Sequence, residues 1–342
     1  MYTRYTGDMP AYSLRPLLTA SVILAFSVPF AASAQSFDIN TTQPFTLSMS
    51  PQYPAPYSQV TVSELSSSLN LASAMMTVFA NGKQVYRGNV QQVAVTLGGT
   101  GVLMNVKTLI SINGTQYSQT LSIRPQDVSL VAEPVSSAPP LYAGKPLVPL
   151  EGSTRMVAVA NLQDGNGRTI DPGMLSYTWT VNGTQIASAS GIGKDAIIVA
   201  SPLQYRESTV SVAVENQSGS VTGGASFSLT AAEPMVRIYK NDPLLGILYD
   251  HALADSYAIT GTEASLYAAA FSFPTSAAAP VLEWFLNGAS VQTGDSITLR
   301  PTGSGGGNAS LSLVASYGDF IKATENLSLS FGAQSSGNLF GL

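Results

Sequence analysis

The one histidine of this 342-residue chain, His251, is the side chain best suited to general acid–base chemistry near neutral pH. Asp250 and Asp255 lie close to it in the sequence, and a Ser-His-Asp triad would need such a carboxylate together with a nucleophile. The chain contains no Gly-x-Ser-x-Gly elbow that could present this nucleophile. We therefore predict no catalytic residue and interpret His251 as a surface or inter-domain side chain.

A second group of polar side chains lies in one short segment and could bind calcium. Asp164, Asn166 and Asp171 carry oxygens of the kind that calcium prefers. The spacing and closing glutamate of an EF-hand are absent, and the neighbouring Gly165 and Gly167 suit a plain turn equally well. Calcium is one interpretation of this loop and a plain turn is the other. We predict no other cofactor.

The composition restricts the function further. The formal net charge is -5, the pI is near 4.9, and the 15 basic residues form no run. Nucleic-acid binding needs clustered Lys and Arg, so we exclude it. Cysteine is absent, which excludes disulfides and thiolate metal sites. A secreted glycosidase is the least favoured function, because the 20 acidic residues form no recognisable catalytic pair.

The first 34 residues have the pattern of a secretory signal peptide. Arg4 and Arg15 precede an apolar run at residues 17–30, and Ala-Ser-Ala follows at 32–34. A positive start, an apolar stretch and a small-residue cleavage site are typical of such signals. We predict export to the cell surface or the medium, with Gln35 as the first mature residue. An uncleaved anchor is the alternative, and this segment would then be the chain's one contact with a membrane.

An internal repeat of roughly 100 residues organises the rest of the chain. Each copy contains a strand that ends in Asn-Gly, a strong hairpin signal because both residues tolerate positive φ. Alternating apolar and polar residues around each copy indicate strands with one buried face. The predicted hairpin turns are Asn81-Gly82, Asn182-Gly183 and Asn287-Gly288.

These features predict an all-β chain of three tandem immunoglobulin-like β-sandwiches after the N-terminal signal segment. Trp179 and Trp284 occupy the place of the buried tryptophan on the third strand of such domains, and Val78 takes that place in the first unit. We predict all three as core residues. The predicted divisions are a signal peptide at 1–34, sandwiches at 35–126, 127–233 (PKD-like) and 234–332, and a flexible tail at 333–342.

One segment departs from simple alternation. Residues 239–253 are largely apolar and irregular. They form either a contact surface with a neighbouring domain or partner, or an irregular first strand that packs on its own core. The candidate contact residues are Tyr239, Pro243, Leu244, Leu245, Gly246 and Tyr249.

Short motifs occur in every unit, at 47–51 and 122–128, at 175–179, 182–183 and 190–194, and at 234–239, 242–246 and 252–253. On these motifs the chain resembles a family of exported bacterial proteins with tandem immunoglobulin-like or PKD-like repeats, common in small-genome candidate-phylum bacteria. Val78 departs from the pattern, since such domains usually have Trp there. The resemblance implies a surface location and association with pili or other envelope fibres. It implies neither a ligand nor a reaction.

The combined features predict an exported structural or adhesive protein of the cell surface that binds an extracellular protein or a glycan without catalysis. An accessory binding subunit of a pilus or other envelope assembly is the alternative. Binding would use loops at the ends of the sandwiches or exposed strand edges. An aromatic platform on exposed loops would favour the accessory subunit.

Overall fold

The computed structural model describes residues 44–302 and 306–332. The predicted signal segment at 1–34 and the predicted tail at 333–342 lie outside these residues. The described chain contains 24 strands and three short 3-10 helices. No helix within these ranges is long and apolar enough to span a bilayer. The prediction of an all-β fold is confirmed.

The first sandwich consists of two antiparallel sheets. Its strands are β1 (Thr46–Ser50), β2 (Gln59–Leu65), β3 (Met75–Ala80), β4 (Lys83–Asn89), β5 (Val93–Thr96), β6 (Met104–Ile112) and β7 (Thr115–Ile123). They form one sheet in the order β1-β2-β5 and a second in the order β4-β3-β6-β7. A 3-10 helix at Leu71–Ser73 connects the two sheets between β2 and β3.

The second sandwich repeats this arrangement. Its strands are β8 (Asp127–Pro134), β9 (Ser153–Asn161), β10 (Ser176–Val181), β11 (Thr184–Gln185), β12 (Gly191–Ile192), β13 (Ala196–Ala200), β14 (Glu207–Glu215) and β15 (Thr222–Thr230). The two sheets have the orders β13-β9-β8 and β11-β10-β14-β15, and β12 also pairs with β10. Two 3-10 helices lie at Pro172–Met174 and Ala187–Ala189.

The third sandwich adds two short strands to the same plan. Its strands are β16 (Met235–Asp242), β17 (Gly246–Ile247), β18 (Asp255–Ile259), β19 (Ala264–Phe271), β20 (Val281–Leu286), β21 (Ala289–Thr293), β22 (Ser296–Leu299), β23 (Gly307–Tyr317) and β24 (Ile321–Phe331). The sheets have the orders β17-β16-β19-β22 and β18-β24-β23-β20-β21. The β18–β24 pair is parallel, unlike the other pairs between these strands.

Period-two alternation explains why these segments form two-layer sandwiches. In β14, for example, Val210, Val212 and Val214 are at most 1% exposed, while the residues between them face outward. Burial of such side chains stabilises the fold by roughly 25 cal/mol per Å² of apolar surface. Each sandwich has its own cluster of buried apolar side chains, and the three clusters share no member.

The connectivity differs in one respect from a constant-type immunoglobulin domain. There the fourth strand pairs within the sheet that contains the first, second and fifth strands. Here β4 pairs with β3, β11 with β10 and β21 with β20, so the fourth strand joins the other sheet. The tight Asn-Gly turns account for this choice, because a two-residue hairpin keeps consecutive strands in one sheet.

Candidate functional site

The two tryptophans lie in equivalent places. Trp179 and Trp284 are both fully buried, and each indole Nε1 donates to a backbone carbonyl, that of Lys194 at 2.9 Å and that of Gly294 at 3.0 Å. Val78 is fully buried at the matching point of the first sandwich. A buried indole needs such a partner for its N–H, whereas valine needs none. These three residues are therefore structural.

The predicted turns also do structural work. Both residues of each Asn-Gly pair have positive φ, as a two-residue hairpin turn requires. Each asparagine Oδ1 accepts a backbone N–H at 2.9 Å from the neighbouring strand, which is β6, β14 or β23 in the three sandwiches. The pairs are Asn81 with Asn105, Asn182 with Thr209, and Asn287 with Ser310. The turn is thereby tied to the strand beside it.

The two aspartates of the calcium candidate accept hydrogen bonds within their own loop. Asp164 Oδ1 accepts the backbone N–H groups of Asn166 and Arg168 at 2.8 and 2.9 Å, and these bonds hold the pKa of Asp164 below its usual value. Asp171 Oδ1 accepts the N–H of Gly173 at 2.9 Å and so caps a 3-10 helix. Within the described ranges no three His, Cys, Asp or Glu side chains come together in one group, and this loop contributes two aspartates and one asparagine. The plain-turn interpretation accounts for every one of these bonds.

His251 lies on the surface. Its Nδ1 is 3.0 Å from Asp250 Oδ2, and the two side chains are 77% and 68% exposed. Asp255 begins β18. An exposed imidazole–carboxylate pair gains little from its surroundings, since water screens both groups.

The candidate contact surface divides into two parts. Leu244 and Leu245 are 94% and 76% exposed at the tip of the β16–β17 hairpin, which also contains Pro243 and Gly246. Asp242 Oδ1 accepts the N–H groups of both leucines, at 3.0 and 3.2 Å, and this lowers the pKa of Asp242. These hydrogen bonds fix the backbone of the hairpin tip while both leucine side chains remain exposed to water.

Tyr239 and Tyr249 form the other part and pack inward. Their ring centroids are 5.2 Å apart, edge to face. Tyr142, from the segment that connects β8 and β9, packs edge to face on Tyr249 and on Phe271, at 6.3 and 5.1 Å. Burial, and secondarily the neighbouring Tyr267, raises the pKa of Tyr249 to about 12. An aromatic cluster thus joins the second sandwich to the third.

Backbone hydrogen bonds continue this junction. The N–H of Ser137 donates to the carbonyl of Phe273 at 2.8 Å, and the N–H of Ser272 donates to the carbonyl of Ser137 at 3.0 Å. The N–H of Thr275 donates to the carbonyl of Val135 at 3.2 Å. A strand-like contact of this kind holds the two sandwiches against each other without a disulfide.

A cleft of about 300 Å³ lies at the same junction. The second sandwich contributes aliphatic, amide and carboxylate side chains, and the third contributes the β23–β24 turn. The lining residues are Leu150, Glu151, Leu203, Gln204, Glu233, Pro234, Phe320, Ile321 and Lys322. The lining of the cleft is more polar than apolar and carries groups that donate and accept hydrogen bonds.

Two aromatic rings beside this cleft are almost fully exposed to water. Phe320 is 88% exposed at the β23–β24 turn, and Tyr205 is 91% exposed next to the lining residue Gln204. Glu233 Oε1 accepts Gln204 Nε2 at 2.7 Å and the Tyr205 hydroxyl at 3.3 Å. Tyr205 has a φ of +60° and Glu151 a φ of +51°, the left-handed region that residues with a Cβ rarely adopt. The loops around the cleft are therefore held in unusual conformations.

Local sequence patterns do not reveal this site. Tyr205 and Phe320 belong to different sandwiches, and each is a single aromatic residue in a polar loop. The local signal was limited to an aromatic residue beside Gln-Arg and another after Gly-Asp. Neither pattern shows that the two loops face one cleft.

Comparisons with known proteins give remote similarities in structure. No protein-family profile matches the sequence, and no curated protein does. The central fibronectin-III array of RIM-binding protein is 8% identical, with 83% of this chain and 95% of that chain covered and a TM-score of 0.28.

Fibronectin(III)-like modules of Clostridium thermocellum CbhA are 10% identical, with 58% of this chain and 95% of that chain covered and a TM-score of 0.22. SGBP-B of the Bacteroides ovatus mixed-linkage glucan utilization locus, in complex with a mixed-linkage heptasaccharide, is 12% identical. The match covers 84% of this chain and 70% of that chain, with a TM-score of 0.20. These TM-scores are too low for any conclusion about function.

Proposed function

We propose that this chain is an exported, non-catalytic binding protein of the bacterial cell surface and that the cleft between its second and third sandwiches binds a glycan. The observation that carries the proposal is the pair of exposed rings, Tyr205 and Phe320, beside a cleft lined with amide, carboxylate and ammonium groups. Both rings are placed by loops at the ends of their sandwiches, where sandwich folds carry variable binding residues.

Sugars match this combination of groups. Aromatic side chains present large apolar faces at a small conformational cost, and the C–H faces of a pyranose ring can cover them. Gln204 and Lys322 can donate to sugar hydroxyls, and Glu233 can accept from them. The two rings, one from each sandwich, would contact separate sugar units of one glycan, which favours an extended glycan over a monosaccharide.

The same cleft holds two carboxylates, Glu151 and Glu233, and hydrolysis of a glycan uses two. A glycosidase keeps one of them protonated by burying it. Both glutamates here are exposed, and Glu233 is engaged by Gln204 and Tyr205. Binding without hydrolysis therefore fits this arrangement best.

The surface location rests on the signal pattern at 1–34 and on the resemblance to exported repeat proteins. Fractionation of cells and medium, followed by N-terminal sequencing, tests it. A mature start at Gln35 in the envelope or medium is expected. An intact chain in the cytosol would overturn the proposed location.

A second role, as an accessory subunit of a pilus or other envelope assembly, is favoured by the hairpin tip at Leu244 and Leu245. Exposed adjacent leucines on a rigid turn suit a small apolar socket on another protein. This role and glycan binding use different surfaces, so one molecule could do both.

Affinity electrophoresis against soluble neutral polysaccharides tests the cleft. The double variant Tyr205→Asn/Phe320→Ala should weaken binding at least about fivefold, since each aromatic stacking contact is worth about 0.5–1.5 kcal/mol. Asparagine tolerates the positive φ of Tyr205. Tyr57→Asn is the matched control, because Tyr57 also has a φ of +60° and is 77% exposed, in the first sandwich.

Unchanged binding by the double variant would refute the assignment of the cleft, and retardation by no polysaccharide would refute glycan binding. Release of reducing ends from a bound polysaccharide would show that the protein is an enzyme.

A further inference from the structure

The chain contains five Asn-Gly pairs, and four of them form turns that share one backbone conformation; in the fifth, Asn166-Gly167, only the glycine has a positive φ. The asparagines of the four turns, Asn81, Asn113, Asn182 and Asn287, have φ values from +47° to +51°. The following glycines have φ values from +78° to +83°. All four asparagines are exposed to solvent. Backbone geometry and access to water therefore do not distinguish these turns.

The side chains do distinguish them. Asn81, Asn182 and Asn287 each accept a backbone N–H through Oδ1 at 2.9 Å. Asn113 lies between β6 and β7, at the edge of its sheet, and its side chain makes no hydrogen bond within the described part of the chain. Three turns are thus clamped, and the β6–β7 turn is unclamped.

An Asn-Gly sequence can modify itself. The backbone nitrogen of the glycine attacks the asparagine Cγ, a C–N bond forms, the Cγ–Nδ2 bond breaks, and ammonia leaves with the proton from the glycine nitrogen. Water then opens the cyclic imide at either carbonyl and gives aspartate or isoaspartate. Glycine permits the attack because it has no side chain to obstruct it. The reaction consumes only water and needs no cofactor.

We propose that Asn113 is a site of spontaneous deamidation in the folded protein and that the Oδ1 hydrogen bonds protect the other three asparagines. To react, the side chain must rotate until Cγ meets the glycine nitrogen, and a clamped side chain must first give up its bond. One net hydrogen bond changes such a population by about fivefold. We expect Asn113 to react about fivefold faster than each clamped asparagine.

The modification would alter the first sandwich locally. Isoaspartate inserts one more carbon into a two-residue turn, where Ile112 and Thr115 form the last pair of the β6–β7 ladder. Either product also adds a negative charge to an edge that has none, since β7 contains no charged residue. Among the four hairpin turns, the one at this open edge is thus the one expected to deamidate first.

Peptide mapping by mass spectrometry can test the proposal on the full-length chain. The folded protein and a urea-unfolded sample are incubated at mildly alkaline pH, and the conversion of each Asn-Gly site is followed over time. The unfolded rates correct for the different neighbouring residues. The readout is the ratio of folded to unfolded rate at each site, and Asn113→Gln serves as the control that removes the predicted product.

The expected result is a ratio at Asn113 about fivefold above the ratios at Asn81, Asn182 and Asn287, with the product of residue 113 missing from the Asn113→Gln variant. Equal ratios at all four sites would overturn the proposal. A clamped asparagine that reacts before Asn113 would overturn it as well.

Discussion

Substitution of Asn182 measures how much a clamped turn contributes to the stability of the second sandwich. Its Oδ1 accepts the N–H of Thr209 at 2.9 Å and the hydroxyl of Ser208 at 3.3 Å, and its own N–H donates to the Thr209 carbonyl at 2.8 Å. Its φ of +51° is in the left-handed region. Two separate contributions to the free energy of unfolding therefore favour asparagine here, one from the side-chain hydrogen bonds and one from the backbone conformation.

Three replacements separate these terms. Asn182→Gly removes the side-chain bond but adopts positive φ without strain, so the free energy of unfolding should fall by about 1 kcal/mol. Asn182→Ala also forces a residue with a Cβ into the left-handed region, which costs about 1 kcal/mol more. Asn182→Asp keeps an acceptor oxygen and should stay within about 0.5 kcal/mol of the parent.

Tryptophan fluorescence can report on the second sandwich alone. The chain has two tryptophans, and Trp179 lies in the second core while Trp284 lies in the third. In a Trp284→Phe parent, urea unfolding followed by Trp179 emission gives the midpoint of the second sandwich. With a slope of about 2 kcal/mol per M, the midpoint should fall by about 0.5 M in Asn182→Gly and about 1 M in Asn182→Ala.

The order of the urea midpoints of the three variants tests both contributions. Equal midpoints for Asn182→Gly and Asn182→Ala would refute the argument from left-handed strain. A glycine variant as stable as the parent would refute the contribution of the side-chain bond.

Two further predictions concern a buried carboxyl and a junction. Burial raises the pKa of Glu64 to about 7, and its Oε1 has no hydrogen-bond partner in the described chain. The folded state therefore binds the proton more tightly than the unfolded state, and the stability that this contributes below about pH 4.5 is lost as the pH rises to about 7. Glu64→Gln should raise the free energy of unfolding of the first sandwich, measured by calorimetry, by about 1 kcal/mol at pH 8, a value reduced because the carboxyl is partly exposed. At pH 4 the substitution should leave it unchanged. An equal gain at both pH values would contradict this prediction. At Gly224 a Cβ would lie 2.5 Å from the ring of Tyr53, which belongs to the first sandwich, and 2.8 Å from the carbonyl of Val212. Gly224→Ala should therefore destabilise the second sandwich by about 1–3 kcal/mol in urea, whereas Gly173→Ala, which meets no atom closer than 3.4 Å, should not; equal effects would refute the steric argument.

Local chemistry allowed several structural features to be predicted from the sequence. The Asn-Gly pairs specify hairpins because both residues accept positive φ, and alternation in segments such as residues 210–214 specifies strands with one buried face. Trp179 and Trp284 recur at one place in the repeat, with Val78 in the first unit, because that position on the third strand faces the core and takes an apolar side chain. These features depend on neighbours within a few positions, so one sequence is enough to predict them.

Other assignments needed distances that a sequence does not contain. Asp164, Asn166 and Asp171 have oxygens of the kind that calcium prefers, and only the structure shows that one oxygen of each aspartate accepts backbone N–H groups of the same loop. Residues 239–253 could be a contact surface or a core strand, and the structure divides them between an exposed leucine tip and a tyrosine cluster. Which alternative a side chain takes depends on the groups that the fold brings near it.

The sequence by itself determined the repeat, the strands, the hairpin turns and the residues of the cores, because all of these follow from local conformational preference and from the burial of apolar faces. The tertiary structure decided the junctions and the cleft. Tyr205 and Phe320 lie in separate sandwiches, and they flank one cleft only because strand-like bonds and packed aromatic rings hold the second sandwich against the third. A contact between distant segments depends on how finished domains pack together, and no local pattern encodes that packing.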